Sequence, residues 1–172
     1  ALERFAAVGF PTTHDEEWRV TNVAPIARVA WAHPATEPGV NAGSIAPHRL
    51  AGVAAELVLV DGRFVPALSA LPALPGNTLF GGLAHALEGG AGGAPAAELE
   101  ELLGRLATAD STPFAALNLA FFEDGAFLRV PPGLTLEQPV HVLHVSTAAA
   151  GSAPSASHPR TLVVLGEHAS AA

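Results

Sequence analysis

The spacing of apolar residues changes near residue 122, and this change limits the fold classes open to the chain. Before residue 122 the most regular apolar pattern has the i, i+3, i+4, i+7 spacing of an amphipathic helix. After it the helical period is lost, and short apolar runs are separated by turn residues, as in β-strands. Because the helices come first and the strands second, the sequence predicts an α+β fold.

The most regular helix is predicted for residues 95–107. Pro95 suits the first helical position, where a missing backbone N–H is tolerated. Glu101 and Arg105 would add an i,i+4 ion pair. The predicted apolar stripe consists of Leu99, Leu102, Leu103 and Leu106.

Two capping signals predict further helices. Thr13 and Glu16 have the spacing of a capping box before a short helix. Thr112 and Pro113 have the residue types of an N-cap and a first helical position, and they predict a helix through Phe122. The remaining predictions before this point are the end of a helix at 1–8, one short turn at 24–30, a loop at 33–47, and a strand followed by a helix between Leu79 and Leu87.

A small β-hairpin is predicted near residues 56–65. Asp61 and Gly62 between two apolar runs are typical of a type I′ turn, which needs two positive φ angles. Later strands are predicted at 127–130, 140–146 and 161–165. We therefore expect a mainly helical region at 1–122, which includes the hairpin, and a β-region at 123–172.

The composition excludes several classes of site. The net charge is −8, whereas nucleic acids and anionic membranes require a basic surface. All basic residues except His are Arg, so the chain has no P-loop lysine and no Schiff-base lysine. It also has no Cys, which excludes disulfides, thiolate nucleophiles and cysteine ligands of iron–sulfur clusters within these residues.

Targeting signals are not apparent in the sequence. No apolar run approaches the roughly 20 residues of a membrane span, and no basic segment followed by an apolar one opens the chain. We therefore expect a cytoplasmic protein with no membrane and no nucleic-acid partner. Because the sequence contains no Met and a strand-like run lies close to residue 172, we also expect a trimmed chain or a fragment.

Histidines supply the candidate metal ligands. His141 and His144 are three residues apart on a predicted strand, so their side chains would point to opposite faces and could not chelate one ion locally. A cupin-like site would need His and Glu clustered on adjacent strands, and Glu167 and His168 are available for it. One hypothesis is thus a small β-rich metal- or sugar-binding enzyme that uses His141, His144 and His168. The simpler interpretation is ordinary strand histidines.

Two other motifs have simple structural explanations. The segment His14–Glu17 contains three acidic residues, which a helix N-terminus favours. The Gly-rich run Gly89–Gly93 precedes a helix, but no buried strand precedes the run and no Lys follows it, so it predicts a linker. No Ser lies in a GxSxG motif. The residues alone predict a structural or interaction module without catalytic, cofactor-binding or metal-binding residues.

Three blocks of sequence carry a resemblance to a known family. The first is GFPT at residues 9–12 with DEEWRVTNV at residues 15–23, and the second comprises FAALN, FFEDG and RVPPG between residues 114 and 133. The third comprises QPVH at residues 138–141, SHPR at residues 157–160 and LGE at residues 165–167. In this order the blocks resemble the SufB/SufD family of iron–sulfur cluster assembly proteins, and the later blocks resemble its SufD members. Val20 departs from the aromatic residue that is usual in the family.

The resemblance implies a fold and a role. Family members have a mainly helical N-terminal region, a right-handed parallel β-helix and a C-terminal helical segment. SufD pairs with SufB, and both bind the ATPase SufC. The resemblance therefore implies a non-catalytic scaffold subunit of the SufBCD complex, of which this chain is the N-terminal portion. No cofactor would belong to this chain, because the Fe–S cluster is handled by the full complex. Trp18, Phe114 and Phe121 would be packing residues.

The implied β-helix also predicts how the last strands behave. Each strand of such a stack pairs with its neighbour in the next coil. Leu162, Val163, Val164 and Leu165 would leave an unpaired edge, which is a template for self-association. We therefore expect association through residues 140–168, with residues 1–122 outside the contact.

Overall fold

Two small β-sheets and a set of short helices make up the structure, a computed structural model that describes residues 1–34, 39–89, 96–148 and 153–172. The predicted α+β class is confirmed by this mixed architecture. The α-helices are α1 (Leu2–Val8), α2 (Ala24–Ala27), α3 (Ala42–Ile45), α4 (Leu83–Leu87), α5 (Ala96–Leu102) and α6 (Pro113–Phe121). Single 3-10 turns lie at Glu16–Trp18, Ala46–His48, Pro66–Leu68 and Pro75–Asn77.

The predicted end of the 95–107 helix is wrong. Helix α5 ends at Leu102, and Gly104 then takes a φ of 74°, which turns the chain out of the helix. Leu106 is consequently 94% exposed rather than part of the apolar stripe. Arg105 also lies beyond the helix, so the predicted i,i+4 pair with Glu101 does not have helical geometry. Pro95 lies outside the described residues.

The predicted capping box at Thr13 and Glu16 is also wrong. The Asp15 carboxylate instead accepts hydrogen bonds from the backbone N–H of Thr12 (2.7 Å) and from its hydroxyl (3.1 Å). A carboxylate that bonds back to a residue three positions earlier closes a local turn. Only one 3-10 turn, Glu16–Trp18, follows it.

Two more local predictions need correction. The expected loop at 33–47 contains α3, which begins with a capping box in which Asn41 and Ser44 bond to each other's backbone N–H. The short turn expected at 24–30 is the helical turn α2, which ends three residues earlier, at Ala27. By contrast, the cap before α6 is confirmed, because the Thr112 hydroxyl accepts from the Ala115 N–H at 3.0 Å.

The strands form two three-stranded sheets. Their bounds are β1 (Ala55–Val60), β2 (Arg63–Phe64), β3 (Leu79–Gly82), β4 (Gly125–Val130), β5 (Val140–Val145) and β6 (Arg160–Leu165). The strand orders are β2-β1-β5 and β3-β4-β6. The predicted hairpin is confirmed, with φ angles of 49° at Asp61 and 86° at Gly62. Because β1 pairs with β5 and β3 with β4, both sheets join residues from either side of position 122. The division into two regions there stays a prediction.

Each of the two sheets contains a parallel pair of strands. Strand β1 is parallel to β5, and β4 is parallel to β6. Gly125 pairs with Arg160, Val130 with Leu165, and Thr135 forms an isolated parallel bridge with Ser170. Each of these pairs is separated by the same 35 residues. One stretch of chain thus lies on the next in constant register.

The core lies between the two sheets and under short helices on their outer faces. Leu57 and Leu59 of β1 pack against Ala126 of β4, which joins the sheets. The other faces of the two strands pack on helices: Val58 contacts Ile45 of α3, and Phe127 contacts Leu99 of α5. Every residue of β1 is buried, so this strand is the centre of the fold.

Asp124 ties three elements together at the start of β4. Its carboxylate accepts hydrogen bonds from the backbone N–H groups of Phe64 (2.9 Å), Ala84 (2.9 Å) and Gly125 (2.8 Å). These groups belong to β2, to the first turn of α4 and to β4, respectively. One side chain therefore satisfies three donors that would otherwise need other partners.

An aromatic cluster attaches the N-terminal segment to α6. Phe5 contacts Phe10 at 5.0 Å between ring centroids, and Phe10 and Trp18 contact Phe114 at 5.8 and 5.2 Å. Such edge and tilted contacts are the favourable arrangements of aromatic rings. The predicted packing roles of Trp18 and Phe114 agree with these contacts.

Candidate functional site

The most buried ionic cluster of the described residues is formed by Arg49, Glu56 and His141. Glu56 is only 3% exposed. One oxygen of its carboxylate accepts from Arg49 Nη1 at 2.5 Å, and the other lies 2.9 Å from His141 Nδ1. A buried carboxylate needs such partners, because burying an unpaired charge is costly.

Strand register brings these residues together. Glu56 of β1 and His141 of β5 lie directly opposite each other in the parallel pair. Arg49 follows the 3-10 turn Ala46–His48, and its second guanidinium nitrogen donates to the Leu68 carbonyl at 2.6 Å. The cluster thus connects three neighbouring segments between Arg49 and Leu68 with β5, which lies 85 residues after Glu56.

The chemistry open to this cluster is limited. If His141 donates from Nδ1 to Glu56, Nε2 keeps a lone pair that could accept a proton or bind a ligand. A carboxylate behind an imidazole is the arrangement that orients metal-binding and general-base histidines. However, no group of three His, Asp or Glu side chains within the described ranges could hold a metal ion. The Arg49 contact instead makes the cluster an ion-paired connection between β1, β5 and the loops beside them.

The other two histidines of the enzyme hypothesis lie elsewhere. His144 is in register with Leu59, on the opposite face of β5 from His141, as the strand period predicts. Although much of its side chain is exposed, partial burial lowers the pKa of His144. His168 lies beyond β6, where its Nε2 is 3.4 Å from the exposed Glu167 carboxylate. The structure therefore does not assemble His141, His144 and His168 into one site.

The three acidic residues of the segment His14–Glu17 border a cavity of about 360 Å³. The cavity lies between α1, the 3-10 turn at Glu16–Trp18 and the residues before α6, and Trp18 is its aromatic wall. Hydrogen bonds from Thr12 lower the pKa of Asp15, so its carboxylate stays ionised. Arg4 of the cavity wall is paired with Asp110 at 2.9 Å. This cavity has the volume of a small-molecule site but an open, highly charged wall, unlike most such sites.

Residues of the later sequence blocks meet beside α6. Asn118 donates to the Pro159 carbonyl at 3.1 Å and accepts from Arg160 at 2.9 Å. Phe121 lies between the rings of His33 and His158, at 6.0 and 5.9 Å. Burial, and secondarily the neighbouring His33, lowers the pKa of His158. These contacts attach the segment before β6 to α6, so the blocks act in packing.

The structure bears on two further sequence features, the Gly-rich run Gly89–Gly93 and the apolar runs considered as membrane spans. Of the Gly-rich run, only Gly89 is described, with a φ of 79° after α4; residues 90–93 lie outside the described residues. In the described parts of the chain, no helix has the length and apolar character needed to cross a bilayer.

Sequence reasoning missed Arg49 and Glu56 as members of the buried cluster. Glu56 opens an apolar run that forms a fully buried strand. An acidic residue in such a run is a signal, since Glu is almost never fully buried unless it is paired. Its partners could not be found the same way, because His141 lies 85 residues away along the chain.

Comparison with models of known protein families gives a match over most of the chain. The family model of the SufBD protein N-terminal region matches residues 1–142. A search of curated proteins finds no match.

Proposed function

Because the chain belongs to the SufB/SufD family, whose N-terminal region matches residues 1–142, we propose that it is part of a non-catalytic scaffold subunit. The family ties the chain to iron–sulfur cluster assembly. Under this proposal the subunit is of the SufD type and acts in the cytoplasm. Its N-terminal residues hold the fold together and neither bind nor transform a substrate.

The use of the family blocks in packing is the observation that carries this proposal. Asp124 bonds three backbone N–H groups, Asn118 bonds Arg160 and Pro159, and Trp18 packs on Phe114. Catalytic blocks instead present polar groups to a shared cavity. A scaffold subunit requires residues that hold its fold together, and the family blocks supply such residues.

The strand register supports a second part of the proposal, a parallel β-helix. In such a fold each coil pairs in parallel with the next at a nearly constant offset. The parallel pairs of β4 with β6 have this property. Their offset is 35 residues, and the bridge between Thr135 and Ser170 keeps the same offset. We propose that these residues form the first coils of a right-handed parallel β-helix.

The proposed role assigns no cofactor to this chain. It has no Cys to bind a cluster and no Lys for a nucleotide-binding loop. The Fe–S cluster is then handled by the complete complex, with SufB and the ATPase SufC as partners. The enzyme hypothesis is the weaker one, because His141, His144 and His168 lie at three separate places.

Affinity isolation tests the partner proposal. A tagged product of the gene that encodes this chain, expressed at its natural level, should co-purify with SufB and SufC. Recovery of the tagged protein without either partner would overturn the proposed membership of the complex. Metal analysis of the purified chain distinguishes the scaffold proposal from the enzyme hypothesis. A stoichiometric metal ion that is lost in His141→Asn would support the enzyme hypothesis.

A further inference from the structure

The cavity of about 360 Å³ beside Trp18 combines apolar walls with an excess of negative charge. Its volume lies near the lower end of the range of about 300–1,000 Å³ that is usual for ligand pockets, so one large side chain would occupy much of it. The described residues that line it include four acids but a single base, Arg4. The apolar part of the lining consists of Val8, Pro11, Trp18, Ala109 and Pro113.

The excess negative charge lies on the wall formed by Asp15, Glu16 and Glu17. On the other side of the cavity, Arg4 and Asp110 neutralise each other in an ion pair of 2.9 Å. Asp15 accepts hydrogen bonds only from uncharged groups of Thr12, and Glu16 and Glu17 form no ion pair with any residue that the structure describes. Three adjacent carboxylates repel one another unless a cation lies near them. This wall therefore lacks a positive counter-charge.

Trp18 places an aromatic surface beside these carboxylates. Its ring contacts Phe114 of α6 at 5.2 Å between centroids, and the half-buried indole also lines the cavity. Because this packing already fixes the indole, a ligand that contacts it would pay little to order it. A cation within about 6 Å of an indole ring is attracted by the ring electrons. An indole next to unpaired carboxylates suits a guanidinium group, whose plane stacks on the ring while its N–H groups donate to the carboxylates.

We propose that this cavity is a docking site for an arginine side chain carried by a basic segment of a partner protein. Charge complementarity supports this occupant, since the three carboxylates lack a counter-charge and the whole chain has a net charge of −8, which attracts basic partners. The inference rests on the shape and charge of the cavity, and it does not depend on the family assignment.

The open wall of the cavity favours a protein segment over a free small molecule. Sites for small molecules usually bury about 70–90% of the ligand surface. An open cavity leaves room for the polypeptide that carries the arginine and would hold a free small molecule poorly. Lysine is the weaker candidate, because its ammonium group is a strongly hydrated point charge that cannot stack on the indole and bridge two carboxylates at once.

Fluorescence anisotropy with labelled peptides tests the proposal on the full-length product of the gene that encodes this chain. The probe is a fluorescein-labelled peptide in which glycines separate three arginines. The control peptide carries citrulline, an uncharged residue of nearly the same shape, in place of each arginine. At about 50 mM salt we expect saturable binding of the arginine peptide with a Kd of about 0.1 mM. The citrulline peptide should bind at least about tenfold more weakly.

Variants assign the binding to this cavity. Glu16→Gln combined with Glu17→Gln should weaken binding of the arginine peptide at least about tenfold. Glu100→Gln combined with Glu101→Gln is the matched control, because it removes the same charge from exposed positions of α5 that do not line the cavity. The control should change the Kd less than about twofold. Trp18→Leu keeps an apolar side chain but removes the ring, and it should weaken binding about fivefold.

Several results would overturn the proposal. One is an arginine peptide that binds no tighter than the citrulline peptide, and another is an equal loss of binding in the two double glutamate variants. A lysine peptide that binds as tightly would contradict the recognition of a guanidinium. Free L-arginine that binds as tightly as the peptide would indicate a small-molecule site instead. Because Glu16 and Glu17 are exposed, their variants remain informative even if Trp18→Leu fails to fold.

Discussion

Gly125 and Arg160 lie opposite each other on the parallel strands β4 and β6, so close that a Cβ atom on Gly125 would sit 1.6 Å from the Arg160 carbonyl oxygen. No side chain fits there unless the backbone of one strand moves. The pairing of these two strands therefore depends on a residue without a Cβ, and this explains the glycine in the FFEDG block.

Gly125→Ala should destabilise the protein by about 3 kcal/mol or more, because the clash is with backbone rather than with a flexible side chain. Gly81→Ala is the matched control, since Gly81 also lies in a strand but has no heavy atom within 4 Å of the position that a methyl group would take. The control should stay within about 0.5 kcal/mol. Urea unfolding monitored by circular dichroism measures both, and equal midpoints would contradict the predicted close approach of β4 and β6.

Asp124→Asn should cost about 1–3 kcal/mol, because an amide nitrogen cannot accept the hydrogen bonds that one carboxylate oxygen now receives. At least one of the N–H groups of Phe64, Ala84 and Gly125 would lose its partner. Glu123→Gln is the control: Glu123 is the adjacent, exposed acid, paired with Arg63 at 2.6 Å, and its loss should cost less than about 1 kcal/mol. Thermal melting measures the stability of both variants. If Glu123→Gln lowered the melting temperature more than Asp124→Asn, this role of Asp124 would be refuted.

Leu99→Ala should cost about 2–5 kcal/mol, whereas Leu106→Ala should stay within about 0.5 kcal/mol. Leu99 is fully buried against Phe127, and Leu106 lies past the end of α5 in solvent. Both residues belong to the apolar stripe that predicts a helix at 95–107. The comparison therefore distinguishes the shorter helix α5 from this longer predicted helix. Similar losses in chemical unfolding would favour the longer helix.

Stability should fall as the pH drops below about 6.5, the ordinary pKa of His. The pKa values of His144 and His158 are lowered in the folded protein, so the unfolded chain binds more protons in this range. The stabilisation is present above the unfolded pKa and is lost as the pH falls through the folded values. His158→Gln should flatten the decline in melting temperature between pH 7.5 and pH 5, and His168→Gln, on an exposed turn, should leave the slope unchanged. A slope unaffected by His158→Gln would contradict the assignment to this residue.

Local chemistry made parts of the fold predictable. The hairpin follows from Asp61 and Gly62, which accept positive φ angles, and the start of α6 follows from Thr112 and Pro113. Each signal lies within a few residues of the structure that it determines. The same is true of the opposite faces taken by His141 and His144, which depend only on the period of a strand.

Other features depend on contacts that a local pattern cannot contain. The leucine stripe continues to Leu106, but Gly104 ends the helix early, and its position beside Leu119 of α6 is a tertiary contact. The parallel pairing of β1 with β5, and with it the Glu56–His141 contact, joins residues 85 apart. Asp15 bonds back to Thr12 and so closes a local turn one residue earlier than the predicted capping box at Thr13 and Glu16.

We propose that these residues build a scaffold for iron–sulfur cluster assembly and take no part in chemistry. The most direct test is the activity of an Fe–S-dependent enzyme in cells that lack the gene and carry the triple variant His141→Asn, His144→Gln, His168→Gln. Asn at position 141 keeps a donor for Glu56, so the fold should survive. We predict that the triple variant restores the enzyme as well as the natural gene does. Failure to restore it, with the variant present at the natural level and folded, would contradict the claim.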